Sequence, residues 1–123
     1  MDNRISNNVN FGMALHMASE KRMIGAIGKK AYSDFVNILP KLEAEAKNCD
    51  IFIKPEIYMF QHSGAVDIKV SRKVDSIKNF FKNLVRDLNL FDFTGMRTVY
   101  PKISNNMAKE ALDVIPELKK EFL

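Results

Sequence analysis

The sequence predicts a two-layer α+β domain: a small antiparallel sheet of about three to four strands covered by helices, in the order α-β-β-β-α-(β)-α. Three observations carry this. Residues 65–71 alternate, with Val66, Ile68 and Val70 on one side and Asp67, Lys69 and Ser71 on the other, which is the strand period. Residues 76–90 place Ile77, Phe80, Phe81, Leu84, Val85 and Leu88 at steps of three and four, which is one stripe of a helix. A chain of 123 residues that is 46% apolar can fill one core and not two. The same composition excludes a collagen, a coiled-coil rod, a disulfide-stapled miniprotein and a disordered tail.

Taken in order, residues 1–10 are polar and asparagine-rich and read as a flexible arm ahead of a single domain over 11–123. Val9, Phe11, Met13, Leu15 and Met17 alternate as a strand would. The helix formers Ala14, Ala18, Glu20, Lys21 and Met23 favour a helix instead, and helix is the preferred reading from residue 11 to Ile38. Met13, Met17, Ile24, Ala31, Phe35 and Ile38 supply its apolar stripe. Gly25 and Gly28 each cost about 1 kcal/mol against alanine, so a bend is expected there. Pro40 closes that helix or opens a new one over 41–47, and Asn48 is a stop.

Short strands follow at 51–53 and 57–60, the first demoted to an edge by Pro55. Gln61-His62-Ser63-Gly64 reads as the hairpin turn before the alternating strand. Asp75 or Ser76 caps the helix over 76–90, and Asp92-Phe93-Thr94-Gly95 is a turn, with Phe91 and Phe93 as core plugs. A further strand over 96–100 stops at Pro101. Residues 104–106 offer caps for a last helix, which Pro116 is expected to kink or restart.

The charge is uneven. Net charge is +4, yet residues 1–68 hold eight basic and eight acidic side chains, and residues 103–123 hold three against four. Residues 69–102 hold eight basic against three acidic, so the whole excess lies there. Lys78, Lys82 and Arg86 stand four apart and line one stripe of the helix, opposite the apolar stripe. With Arg72, Lys73 and Lys69 just before it, they form a basic ridge of the kind that neutralises phosphates without reading sequence. Lys29 and Lys30 follow a Gly-x-x-Gly spacing, the device that clamps a single-stranded backbone. The segment after it is too long for that context, so the two lysines stand as a second patch only. The plain alternative for all eight cations is a solvated surface.

Catalysis and cofactors are not expected. Cys49, His16 and His62 are the only reactive types beyond serine and lysine, and no phosphate-loop, dinucleotide or metal-ligand spacing is present. The lone Cys49 speaks for a reducing, cytoplasmic setting. The longest stretch without formal charge, 5–19, is too polar for a membrane span, so no membrane is expected as a partner. The expectation is therefore a non-enzymatic binding module for nucleic acid or a nucleic-acid–protein complex. The runner-up is an adaptor or inhibitor, of phage or mobile-element type, that acts on a host protein through an apolar patch, with self-association as a homodimer open to it. Eleven asparagines, eleven isoleucines and 14 lysines against 5 arginines fit the AT-rich coding of such elements.

Overall fold

A computed structural model describes residues 8–11 as backbone, and residues 14–102 and 106–123 with their side chains. Two short strands open it, β1 (Asn8–Phe11) and β2 (Leu15–Ala18), paired antiparallel from Asn8–Ala18 to Phe11–Leu15. The helix expected from residue 11 is therefore replaced at Phe11 and at Leu15–Ala18 by paired strands. Leu15 and Met17 are buried while His16 between them is not, and packing alternate residues against a core overrides the helix preference of Ala14 and Ala18. The expected arm is thus a strand from Asn8 onward, while residues 1–7 and Met13 lie outside the described residues.

Ser19 caps α1 (Glu20–Asn37) by accepting from the Arg22 amide. The expected bend falls at Gly28, whose φ of 89° and ψ of 165° are open only to glycine. Pro40 starts the short α2 (Leu39–Glu45). Together α1 and α2 form the crossover that lets β2 pair parallel with β3 (Cys49–Tyr58). β3 then pairs antiparallel with β4 (Gln61–Arg72), and β4 with β5 (Met96–Val99), giving one five-stranded sheet in sequence order. The sheet is mixed, not purely antiparallel.

The two short strands expected over 51–60 are one. Pro55 is tolerated within β3 because the pairing with β2 ends at Ile53, and a bulge follows it. The turn lies at Met59 and Phe60, not at 61–64. Gly64 serves the bulge instead: residues 63–65 of β4 stand opposite Glu56 alone, and Gly64 takes a φ of 80° there.

Helices α1, α2 and α4 (Met107–Phe122) cover one face of the sheet. The core between them holds Leu15, Met17, Ile51, Ile53, Val66, Ile68, Val70 and Val99 from the strands. Met23, Phe35, Leu42, Ala111, Ile115 and Leu118 come from the helices. Asn106 caps α4 through the Lys109 amide, Ser104 and Asn105 lie outside the described residues, and the helix runs on through the exposed Pro116. One helix stands apart from this layer. α3 (Ile77–Leu88), capped by Ser76, meets the opposite face near the end of β4.

Candidate binding face on the third helix

α3 is turned inside out. Its apolar stripe was expected to meet the core, but the buried residues are Asn83 and Arg86, while Ile77, Val85 and Leu88 keep 69–76% of their surface. Phe80 and Phe81 are about half exposed, and Leu90, Phe91 and Phe93 beyond the helix are exposed too. The expectation of Phe91 and Phe93 as core plugs is thereby overturned.

The cause is a polar clasp. Arg86 is 2% exposed, and its guanidinium donates to four acceptors. Nη1 reaches the Val70 carbonyl (2.6 Å) and the Thr94 carbonyl (3.2 Å), Nη2 the Ser71 hydroxyl (2.6 Å), and Nε the Asp87 carboxylate (3.0 Å). The Phe122 ring lies 3.8 Å from its central carbon, a cation–π contact. Asn83 completes the clasp. Its carbonyl oxygen accepts from the Arg72 amide (2.9 Å) and its amide donates to the Arg72 carbonyl (2.8 Å), so the side chain acts as a neighbouring strand would at the end of β4. These bonds fix the polar side of α3 inward, and the apolar side follows outward.

The basic ridge does not survive as one stripe. Arg86 lies beneath α3 as a structural group, 2% exposed and bonded to protein acceptors, at the edge of the hollow described next. Lys69 pairs with Asp87 at 3.5 Å and sits over the Phe52 ring at 4.8 Å. Lys29 and Lys30 belong to α1, across the sheet from α3, and Lys30 pairs with Asp34 at 2.9 Å. Arg72, Lys78 and Lys82 do come together. They rim a hollow of about 470 Å³ whose apolar lining is Phe81, Val85 and Phe122, with Asp92 at the same hollow. Arg72 and Lys78 crowd Lys82 with like charge and lower its pKa. Lys73 is exposed beside them in sequence.

The remaining candidates stand elsewhere. Tyr58, Met59 and Phe60 form an exposed hairpin tip. Cys49 is buried at the start of β3, and burial pushes its thiol pKa up. His62 pairs with Ile57, eight residues further along the same strand, or roughly 26 Å away at strand rise. A Cys49–His62 dyad therefore does not form. His16 stacks on Phe52 at 4.6 Å and faces Asp50 at 3.8 Å. Burial raises the pKa of Asp50, and His16 works against that. Among the described residues no three His, Cys, Asp or Glu side chains gather as metal ligands, and no helix is long and apolar enough to cross a membrane.

Periodicity located α3 but could not say which of its two faces the sheet would take. The exposed residues Ile77, Val85, Leu88, Leu90 and Phe91 were therefore missed as a surface. Comparisons with protein-family models, with curated proteins and with solved structures returned no match.

Proposed function

We propose that the protein is a non-enzymatic binding module that docks a protein partner on the outward apolar face of α3, as an adaptor or inhibitor would. The observation that carries this is the inversion of α3. Ile77, Phe81, Val85, Leu88, Leu90 and Phe91 each keep half or more of their surface. Residues of this size then keep on the order of 900 Å² of accessible surface between them. That area matches the ~800 Å² that each partner contributes to a stable interface.

The test pairs Val85→Ser with Leu88→Ser. Both sites are exposed, so the double variant should lose only about 1 kcal/mol or less of stability. Wild-type bait should retain a protein from host-cell lysate through nuclease and roughly 0.5 M salt, and the variant should lose it. A stability loss above about 3 kcal/mol would instead mean that the face is core in solution.

A second reading is nucleic-acid binding, favoured by the cations Arg72 and Lys73 just before α3 and Lys78 and Lys82 in its first half. Under it, material recovered by the bait would vanish with nuclease. Lys78→Gln with Lys82→Gln would then flatten the salt dependence by about two counterions. Arg86 is left out of that variant, because its loss would unmake the clasp.

A further inference from the structure

We infer that the partner segment is an acidic amphipathic helix, whose apolar stripe lies along α3 and whose carboxylates meet Lys78, Lys82 and Arg72. This rests on the protein-docking reading above and adds the chemistry of what docks. Ile77, Phe81, Val85 and Leu88 stand at steps of four, four and three along a helix of 12 residues, about 18 Å long. Such a ridge is met by another helix presenting anchors at the same spacing. The hollow beside it is apolar at Phe81, Val85 and Phe122 and cationic at its rim. Among the described residues no ion pair engages Lys78 or Lys82, Arg72 donates to the Leu123 carbonyl oxygen at 3.5 Å, and the one acid at the hollow, Asp92, accepts from the Thr94 amide at 3.0 Å. The crowding that lowers the pKa of Lys82 is relieved when an anion arrives, so the margin selects negative charge.

Other occupants fit less well. Nucleic acid matches the cations, and Phe81 and Phe91 offer rings for stacking, but the other four residues of the face, Ile77, Val85, Leu88 and Leu90, are aliphatic and offer none. A second copy of the chain brings the same cationic margin. In a two-fold antiparallel pair each helix flank meets its own copy, which sets Lys82, near the middle of α3, against Lys82. An anionic bilayer presents a plane, whereas this surface includes a hollow beside the ridge.

The experiment uses the full chain and a synthetic peptide of about 18 residues, with leucines at helical spacing and glutamates on both flanks. Its controls replace the glutamates by lysines or scramble the order. Fluorescence anisotropy at roughly 0.1 M salt should show the acidic peptide bound about tenfold or more tighter than either control. Lys78→Gln with Lys82→Gln should remove most of that preference, and Val85→Ser with Leu88→Ser should remove binding. Equal binding of the lysine peptide, still lost with Val85→Ser and Leu88→Ser, would overturn the acidic assignment while leaving α3 as the docking face. Failure of all peptides would overturn the inference. So would a wild-type dimer in sedimentation that Val85→Ser with Leu88→Ser dissociates, or binding of a single-stranded oligonucleotide or phosphatidylserine vesicles that persists in that variant.

Discussion

Arg86 decides which way α3 faces. Turning the helix over would sink six apolar side chains, yet it would strip the Val70 and Thr94 carbonyls of their donor and the Arg72 amide of its acceptor. Unpaired buried polar groups cost about 1–3 kcal/mol each, so several of them rival the apolar gain. Arg86→Met should therefore lower unfolding free energy by about 3–5 kcal/mol in urea titration, while Lys82→Met should change it by about 0.5 kcal/mol or less. Equal effects would mean that the clasp does not hold the helix. Gly95 guards the same spot. It takes a φ of 73°, and a Cβ there would meet Phe122 Cβ at 2.9 Å, Arg86 Nη1 at 3.2 Å and the Val70 carbonyl at 3.2 Å. Gly95→Ala should thus destabilise by about 2 kcal/mol or more, through left-handed strain and through displacing the guanidinium.

At the scale of the element, the β3–β4 turn runs against its own sequence. Met59 and Phe60 hold φ of 52° and 68°, the two left-handed positions of a hairpin turn that asparagine and glycine prefer. Each left-handed non-glycine residue costs roughly 1 kcal/mol, and here neither gains burial in return. Met59→Asn with Phe60→Gly should raise stability by about 1–2 kcal/mol, moving the urea midpoint upward without changing the slope. An unchanged or lower midpoint would mean that the tip is not strained in solution. The same turn shows what could and could not be read from the residues. Val66, Ile68 and Val70 were legible as a strand, and Ile77 to Leu88 as a helix, because each has one period and no competitor. The turn was placed at Gly64 because glycine marks positive φ, and that conformation is indeed used, but by the bulge. The strand at Leu15–Ala18 was hidden because Ala14 and Ala18 speak for helix, and only a parallel neighbour, β3, decides otherwise. The direction of α3 was hidden for a deeper reason: an amphipathic pattern defines two faces, and the buried one was chosen by hydrogen-bond partners that come from Val70, Ser71 and Thr94, distant in sequence.

At the scale of the whole molecule, stability is distributed unevenly across the sheet. α1, α2 and α4 share one apolar core with β2 to β5, so they open only with the fold as a whole. α3 is tied by the Arg86 and Asn83 bonds and by the flanking Phe80 and Leu84, which line a hollow over Phe52 and Lys69. It contributes no residue to that core. Elements with few buried apolar contacts open locally at lower free energy. Amide hydrogen exchange should accordingly find residues 77–88 exchanging through a local opening several kcal/mol cheaper than the centres of β3 and β4 at Ile51, Ile53 and Ile68. Uniform protection across α3 and the central strands would contradict this, and would mean that the outward face is covered in the free protein. If α3 docks a partner, the acidic peptide should slow exchange in α3 and leave the central strands unchanged, because binding stabilises only the state it recognises. A helix that folding leaves loosely held is the one whose ordering a partner can complete. Its apolar side would then supply on binding the burial that the sheet does not.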